Sequence, residues 1–188
     1  MTTSVDDAIT RAGAIVARFR TLFVGVGVAG RCAVVAKSLN PELTVIFESG
    51  IIGASLTSPP RSISDRRLYE RCRYVAAQDE LFDCWLGGRR IEAAIVGAAQ
   101  IDLNGCVNTT VIGGYANPRA RLPGAGGAPE VRPLLASVVV IPQAEGRIVD
   151  SVDFVTYRLP EDVERWLVTD RGVWYARAGE PRLAPEVP

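Results

Sequence analysis

Hydrophobic and polar positions change their spacing along this chain, and the spacing predicts where helices and strands lie. Apolar residues recur three and four positions apart over residues 5–19, which predicts an amphipathic helix of about four turns. Ser4 and Asp7 have the spacing of a capping box at its start. Residues 21–27 then read as an apolar strand that runs into a glycine turn, and a second helix is expected over residues 31–39.

A further apolar run, residues 43–47, follows the second helix and predicts another buried strand. Both strands are apolar throughout rather than alternating, a pattern typical of parallel strands that are covered on both sides. The strand–helix–strand order indicates an α/β protein built on a parallel sheet. We therefore predict an open, mostly parallel sheet with helices on both of its faces.

The remainder of the chain predicts loops, one more helix and several strands. Residues 54–67 and 113–133 are rich in Gly, Pro, Ser or Arg and are expected to be loops. A helix is expected over residues 68–86, and Asn104-Gly105 has the signature of a tight turn. Further strands are expected at residues 91–96, 107–112, 136–141, 148–154 and 166–175.

The length of the chain, 188 residues, fits a single domain. We expect that domain to span residues 1–176, followed by a loose, Pro-rich tail over residues 177–188. Lys plus Arg and Asp plus Glu both number 21, so the net charge is zero. A zero net charge argues against nucleic acid or a membrane surface as a partner, because both attract a basic excess.

Histidine is absent from the sequence, which excludes every Ser–His or Cys–His catalytic scheme within the chain. Histidine-based zinc sites are excluded with it, and no metal is expected. The four cysteines include no C-x-x-C pair and are typical of reduced, intracellular thiols. The N-terminus does not resemble a signal peptide, and no apolar run reaches the ~20 residues of a membrane span, so we expect a cytoplasmic protein.

Glu48 is the polar residue that the hydrophobic pattern explains least. It directly follows the apolar run 44–47 and precedes a turn that carries Gly50. This position corresponds to the carboxyl end of a buried strand, the edge at which open α/β sheets bind ligands. Because an unpaired buried charge is costly, we expect Glu48 to be paired, exposed at the strand end, or employed in chemistry. Gly25 and Gly27 are predicted to lie at the same edge.

Two glycine-rich segments are candidate binding loops. Gly124, Gly126 and Gly127 can direct backbone N–H groups at one point and form a nest for a negative charge. Residues 25–30 match G-x-G-x-x-G after a strand, and Glu48 stands near the spacing of a ribose-binding acid, about 20 residues further on. The spacing therefore leaves a nucleotide-binding interpretation open.

Several motifs resemble one protein family, in chain order. Residues 48–53, Glu-Ser-Gly-Ile-Ile-Gly, resemble the Ser-Glu-Asn-Gly signature of class I coenzyme A transferases, with serine in place of asparagine. The small subunit of glutaconate-type transferases is similar at residues 97–105, 108–113, 121–128 and 152–156. The resemblance spans residues 23–156. It implies the CoA-transferase fold, CoA as a substrate, no tightly bound cofactor, and a large-subunit partner in a hetero-oligomer.

The resemblance also implies roles for individual residues. Glu48 would be the nucleophile that carries CoA, as a glutamyl thioester, between an acyl-CoA and a small free acid, with a dicarboxylic acid as one option. Contacts to the substrate, to CoA or to an oxyanion are implied for Gly25, Gly27, Ser49, Gly50, Gly53, Gln100, Asn108, Gly124, Gly126 and Gly127. Simpler roles stay open beside these: turns that need positive φ for the glycines, and side-chain-to-backbone hydrogen bonds for Gln100 and Asn108.

Four other residues complete the set of candidates. Arg119 and Arg121 are candidates for binding CoA phosphates or a dicarboxylate, and an ordinary surface role is equally open. Asp102 is expected to stabilise the turn before Asn104-Gly105. Cys106 stands where the family usually has asparagine and is expected to be a small buried residue. The C-terminal segment is expected to be short relative to the family.

Two other functions stay open at this stage. The same fold supports hydrolysis, ring opening or decarboxylation of an acyl-CoA, typically in relatives that lack the glutamate or use it differently. A non-catalytic structural subunit is the third option. The presence of Glu48 favours CoA transfer.

Overall fold

The computed structural model describes residues 5–186, so the predicted helix cap at Ser4 lies outside the described residues. Within them the chain forms three α-helices: α1 (Val5–Ala17), α2 (Val28–Leu39) and α3 (Arg66–Glu70). A π-helical turn spans Glu80–Leu86, and a 3-10 turn spans Ala128–Glu130. The strands, in chain order, are β1 (Thr21–Val24), β2 (Thr44–Ile46), β3 (Ile51–Ile52), β4 (Tyr74–Val75), β5 (Ala93–Gly97), β6 (Gln100–Asp102), β7 (Cys106–Asn108), β8 (Val111–Ile112), β9 (Ala120–Arg121), β10 (Ala136–Ile141), β11 (Ile148–Val149), β12 (Tyr157–Arg158), β13 (Glu164–Thr169), β14 (Gly172–Ala176) and β15 (Ala184–Pro185).

Nine strands form the main sheet, in the order β15-β14-β13-β10-β5-β1-β2-β3-β4. Its centre is parallel, because β13, β10, β5, β1 and β2 all run in one direction. Antiparallel strands flank that centre on both sides. The carboxyl ends of β1, β2 and β5 therefore meet at one edge of the sheet, which we call the carboxyl edge. α/β sheets commonly bind their ligands at this edge.

Helices α1 and α2 pack on one face of the main sheet and on each other. The apolar stripe predicted for α1 is buried, with Ile9 4% exposed and Val16 fully covered. The two helices approach closely at Gly13, where a β-carbon would lie 2.7 Å from Val35 Cβ. None of the helices within residues 5–186 has both the length and the apolar character needed to cross a membrane.

The opposite face of the sheet is covered by the π-helical turn and by a smaller sheet. Leu81 and Leu86 of that turn join a buried cluster with Phe23 and Ile46 of the main sheet. The smaller sheet, in the order β11-β6-β7-β12, buries Ile101 against the same face. The predicted α/β class with an open, mostly parallel sheet is confirmed. The two long helices share one face, however, and only the short helical turn represents helix on the other.

The helix predicted over residues 68–86 is wrong. α3 ends at Glu70, an extended segment follows, and the chain becomes helical again only at Glu80. In between, β4 pairs antiparallel with β3 at the edge of the main sheet. The backbone hydrogen bonds offered by that edge outweigh the local helical spacing of the apolar residues, as tertiary context often does, although Tyr74 and Val75 themselves stay exposed.

Three predicted strands are divided or shorter than expected, because polar side chains bond to their backbone groups. The strand predicted at residues 166–175 is the antiparallel hairpin of β13 and β14, in whose turn Thr169 Oγ1 accepts a hydrogen bond from Arg171 N at 3.0 Å. The strand predicted at residues 107–112 divides into β7 and β8, since Asn108 Oδ1 accepts hydrogen bonds from Thr110 N at 3.0 Å and Val111 N at 3.3 Å. The strand predicted at residues 148–154 is limited to β11. Further on, Asp153 N donates to the side chain of Gln100 rather than to a neighbouring strand.

The C-terminal segment, predicted to be loose, packs on the domain. β15 pairs antiparallel with β14. Leu183 is 1% exposed, and its N–H donates to the Leu103 carbonyl at 2.8 Å. Burial of the Leu183 side chain holds the tail against the smaller sheet. The proline content of the segment gives no indication of this packing.

Candidate active site

Glu48 lies in the tight turn that joins β2 to β3. Gly50 N donates to the Phe47 carbonyl at 3.0 Å, which closes a four-residue turn with Glu48 at its second position. Gly50 has a φ of +88°, and a β-carbon there would lie 2.3 Å from the Ala76 carbonyl oxygen. Glycine alone satisfies both constraints, so the turn holds Glu48 at a defined place on the carboxyl edge.

The Glu48 carboxylate lies against residues 123–127, which we call the glycine loop. A β-carbon at Gly126 would lie 2.6 Å from Glu48 Oε2, and one at Gly127 would lie 3.3 Å from Glu48 Cδ. The ring of Phe82 packs against the same loop, since the β-carbon at Gly127 would also lie 2.9 Å from Phe82 Cζ. The fold thus brings together the acid and the glycine-rich segment that the sequence singled out separately.

The carboxylate of Glu48 is partly buried and has no partner among residues 5–186: it accepts no hydrogen bond and forms no ion pair there. The backbone carbonyl of Glu48, in contrast, accepts a hydrogen bond from Gln78 Nε2 at 3.2 Å. Of the three roles expected for Glu48, pairing is therefore excluded within the described chain. A partly desolvated carboxylate without a partner is a candidate nucleophile or base.

The glycine loop offers free backbone donors beside this carboxylate. Gly124 N donates to the Thr109 carbonyl at 2.9 Å, whereas the N–H groups of Ala125, Gly126 and Gly127 find no acceptor within residues 5–186. Gly124 and Gly126 have φ values of +92° and +53°, which bend the loop sharply. Successive free N–H groups of this kind attract an anion or a developing oxyanion. The site therefore combines a candidate nucleophile with candidate oxyanion donors.

Gly25 and Gly27 follow β1, the parallel neighbour of β2, and so lie at the same carboxyl edge as Glu48. Gly25 N donates to the Ile95 carbonyl of β5 at 3.0 Å, which ties this glycine to the sheet. Gly27 caps α2 with a φ of +72°, and a β-carbon there would meet no atom within 4 Å. Gly25 therefore serves sheet packing, while Gly27 borders open space.

Ser49 and Gly53 have structural partners of their own. Ser49 Oγ donates to the Ile63 carbonyl at 2.5 Å, which anchors the 54–65 loop beside the Glu48 turn. Gly53 has a φ of +71°, and a β-carbon there would lie 2.8 Å from Arg73 Cγ. A cavity of about 340 Å³ opens along this loop and is lined by Ser55, Thr57, Ser58, Arg67 and Arg71, among others.

Gln100 and Asn108 belong to a closed hydrogen-bond network, and are 5% and 0% exposed. Asn108 Nδ2 donates to Gln100 Oε1 at 2.7 Å, and Gln100 Nε2 donates to Asp153 Oδ2 at 3.1 Å. Gly113 N also donates to Asp153 Oδ2, at 2.7 Å, and this hydrogen bond lowers the pKa of the Asp153 carboxyl. The side-chain amides thus bind protein groups, which is the simpler of their two expected roles.

The remaining candidates occupy the surroundings of the site. Arg121 lies on the exposed β8–β9 hairpin, where its guanidinium stacks 4.8 Å from the Tyr115 ring centroid; Arg119 precedes the same strand. Asp102 Oδ1 accepts hydrogen bonds from Asn104 N and Cys106 N at 2.9 and 3.0 Å, which confirms its predicted role in the turn. Cys106 is 3% exposed, as predicted, and burial raises the pKa of its thiol.

Sequence reasoning missed Phe82 and Gln78, which complete the surroundings of Glu48. Both lie within the segment for which an uninterrupted helix was predicted. Phe82 belongs to the π-helical turn, a geometry that is often found at functional sites and that apolar periodicity does not reveal. Within residues 5–186 no group of three or more Cys, Asp or Glu side chains is arranged to hold a metal ion.

The sequence and the fold of this chain are those of a known class. The coenzyme A transferase family matches residues 12–158, a range that includes Glu48, the glycine loop and the amide network. The chain belongs to the coenzyme A transferase family. The family resemblance seen in the sequence is thereby confirmed.

Two curated proteins, each one subunit of a CoA-transferase, are similar to the chain. It is 44% identical over 136 residues to a subunit of the 3-oxoadipate CoA-transferase of Pseudomonas knackmussii, a match that covers 71% of this chain and 52% of that protein. It is 31% identical over 194 residues to a subunit of the glutaconate CoA-transferase of Acidaminococcus fermentans, covering 87% of this chain and 72% of that protein. The first match thus spans about half the length of that relative.

Solved structures share the fold. Glutaconate coenzyme A-transferase from Acidaminococcus fermentans superposes with a TM-score of 0.81 at 24% identity, over 96% of this chain and 77% of that chain. The decarboxylase AibA/AibB superposes with a TM-score of 0.77 at 25% identity, over 97% of this chain and 77% of that chain. The same architecture therefore occurs in a transferase and in a decarboxylase.

Proposed function

We propose that this chain is the small catalytic subunit of a heteromeric CoA-transferase, which moves CoA between an acyl-CoA and a small free carboxylic acid. One observation carries the proposal: the unpaired carboxylate of Glu48 lies directly against the glycine loop, in which the N–H groups of residues 125–127 have no acceptor within residues 5–186. A nucleophile and donors for an oxyanion are the two elements that acyl transfer needs.

In the proposed reaction, Glu48 Oε attacks the thioester carbonyl of the acyl-CoA. The C–S bond breaks, CoA leaves as a thiolate, and a mixed anhydride joins the acyl group to Glu48. The thiolate then attacks the Glu48 carbonyl carbon, which releases the free acid and leaves a glutamyl-CoA thioester. An acceptor carboxylate runs the same steps in reverse, so Glu48 is regenerated and no proton transfer through histidine is needed.

The glycine loop would stabilise the charge that develops in these steps. Each attack converts a carbonyl into a tetrahedral oxyanion. The backbone of Gly126 and Gly127 lies beside the Glu48 carboxyl at which two of the attacks occur, and we propose that its free N–H groups bind these oxyanions. Preorganised backbone donors of this kind typically contribute about 10²–10³-fold to kcat. Phe82 would exclude water from the anhydride, which hydrolysis would otherwise destroy.

The partner and the setting follow from the relatives. Both curated relatives are named as single subunits of their transferases, which supports a large-subunit partner and a hetero-oligomer. CoA enters as a substrate, and the proposed chemistry needs no tightly bound cofactor. The four cysteines are free thiols, which is consistent with a reducing cytoplasm as the place of action.

The proposal is tested with the complex of this chain and a large subunit from the same genome. Initial rates are measured while acyl-CoA and acceptor acid are varied. Parallel double-reciprocal lines, the ping-pong pattern, are expected, and Glu48→Gln should abolish transfer. Full transfer activity in that variant would contradict the proposal. A complex that binds CoA but transfers nothing in the wild-type form would favour a structural subunit.

Decarboxylation is the second candidate, because the decarboxylase AibA/AibB shares the fold at a TM-score of 0.77. Glu48 would then act as a general base or a binding group rather than as a nucleophile. Release of CO₂ from a β-carboxylated acyl-CoA without any acceptor acid would support this candidate. Uptake of labelled oxygen from water into the free acid would indicate hydrolysis instead.

A further inference from the structure

The glycine loop is held over Glu48 by a neighbouring turn, residues 108–111. Leu122 N donates to the Thr110 carbonyl and Gly124 N donates to the Thr109 carbonyl, both at 2.9 Å. These are the last backbone hydrogen bonds before the free N–H groups of residues 125–127. The position of the glycine loop beside the Glu48 carboxylate therefore depends on where the carbonyls of Thr109 and Thr110 lie.

Side chains outside the loop fix those two carbonyls. Asn108 Oδ1 accepts from Thr110 N at 3.0 Å, and Asn108 Nδ2 donates to the Val111 carbonyl at 2.6 Å. Thr156 Oγ1 accepts from Thr109 N at 3.0 Å and lies 2.7 Å from Thr110 Oγ1. Gln100 locks the amide of Asn108 in orientation, as its Oε1 accepts from Asn108 Nδ2 at 2.7 Å.

The arrangement leaves little room for the loop to shift towards Glu48. A β-carbon at Gly126 would already lie 2.6 Å from Glu48 Oε2, so the backbone there is close to contact distance. A move away from Glu48 would instead withdraw the N–H groups from the carbonyl that they are proposed to polarise. Displacements of about 1 Å at a catalytic group can cost about 10²-fold in rate.

We infer that Asn108 and Thr156 are positioning residues, which set the distance between the glycine-loop N–H groups and Glu48 through the carbonyls of Thr109 and Thr110. This inference rests on the proposed function and assigns these two residues a place in it without any contact to substrate. Asn108, buried and fully engaged by protein groups, acts on the reaction through the loop.

The test compares three variants in the complex with the large subunit. Thr156→Val keeps the shape of the side chain but removes the acceptor for Thr109 N, and Thr156→Ser retains that acceptor. Thr169→Val is the control for the hydrogen bond: Thr169 Oγ1 also accepts a backbone N–H at 3.0 Å, from Arg171, in the β13–β14 turn. Thr169 is buried, whereas Thr156 is partly buried.

We expect Thr156→Val to lower kcat by about tenfold while KM for acyl-CoA changes by less than about twofold. Thr156→Ser should retain most of the wild-type kcat. Thr169→Val should lower Tm about as much as Thr156→Val does but leave kcat unchanged. Amide hydrogen exchange should accelerate in Thr156→Val alone at Leu122 and Gly124, whose N–H groups are bonded to the 109–110 carbonyls. Equal kcat and equal loop exchange in Thr156→Val and Thr169→Val would overturn the inference.

The exchange measurement separates this inference from the proposed function. If the wild-type complex transfers no CoA, the proposed function fails, while the loop exchange still shows whether Thr156 holds the glycine loop. If the wild type is active and Thr156→Val behaves like Thr169→Val in both measurements, the positioning role fails and the proposed function stands.

Discussion

Two glutamates at opposite edges of the same sheet have opposite surroundings. Glu92 directly precedes β5 at the amino edge, is 8% exposed, and accepts hydrogen bonds from Arg20 N at 2.6 Å and from Arg20 Nε at 2.7 Å. Glu48 follows β2 at the carboxyl edge and has no side-chain partner within residues 5–186. Two carboxylates at opposite edges of one sheet thus differ completely in how their charge is satisfied.

Under the proposed function, the difference separates a carboxylate that stabilises the fold from one that takes part in the chemistry. A buried carboxylate with backbone and side-chain donors stabilises the folded state, and its removal leaves those donors unpaired. A carboxylate that lies against a loop backbone and accepts no hydrogen bond is available to a substrate carbonyl. Glu92 therefore fastens the start of β1 to β5, and Glu48 is free to react.

The largest expected effect tests the proposed reactivity of Glu48. Glu48→Gln should lower the transfer rate by at least about 10³-fold, because the amide is not a nucleophile. The free energy of unfolding should change by less than about 0.5 kcal/mol, since no partner is lost. Initial-rate assays and urea denaturation of the same preparation measure both. A large loss of stability would mean that Glu48 is structural, like Glu92.

The next effect tests the glycine loop that covers Glu48. Gly126→Ala should reduce kcat by about 10²-fold, because its β-carbon would meet the Glu48 carboxylate and displace it. Gly124→Ala is the control from the same loop: its φ of +92° is also strained for alanine, but the β-carbon would meet no atom within 4 Å. Similar rates in the two variants would show that the contact with Glu48 is unimportant.

A smaller effect tests the contribution of Glu92 to the stability of the fold. Glu92→Ala should destabilise the fold by about 1–3 kcal/mol, mostly through the unpaired Arg20 N–H, because the Arg20 guanidinium itself is largely solvent-exposed. The activity per folded molecule should stay close to that of the wild type. Urea denaturation and rates normalised to the folded fraction measure the two quantities. A selective loss of kcat would remove the distinction between the two glutamates.

The smallest effect concerns a third carboxylate, Asp153. The hydrogen bond from Gly113 N lowers its pKa in the folded state below the unfolded value of 3.8. Its contribution to stability is therefore complete above that value and is lost as pH falls through the lower, folded pKa. The difference in Tm between wild type and Asp153→Asn should be largest near neutral pH and shrink towards pH about 3. A difference that grows in acid would contradict this assignment.

Much of this fold could be predicted from local pattern. Burial alone explains the continuous apolar run of the strand at residues 136–141 and the apolar stripe of α1. The predicted bounds of both elements lie close to the observed ones. The segment of residues 68–86 could not be predicted, because the edge of the main sheet decides its conformation and that edge is absent from local spacing. Leu183 is a similar case, as its burial depends on a sheet that forms far away in sequence.

The sequence predicted individual residues of the site but not the contacts between them. Glu48 and the glycine loop each stood out from the sequence, but their contact arises from long-range folding. Gln100 and Asn108 were noted as candidates for substrate contact, and only the structure shows their amides bonded to each other. Phe82 carried no signal, because an aromatic residue in an apolar segment is ordinary for a core.

The central claim, that Glu48 forms a covalent thioester with CoA, is tested most directly by trapping. The complex is incubated with acyl-CoA and no acceptor acid, treated with hydroxylamine, and digested with trypsin. The peptide of residues 38–61 contains both Glu42 and Glu48, so fragment masses place the hydroxamate and Glu42 serves as an internal control. The account predicts hydroxamate at Glu48 alone, dependent on acyl-CoA. An unmodified peptide from a complex that is actively transferring CoA would contradict it.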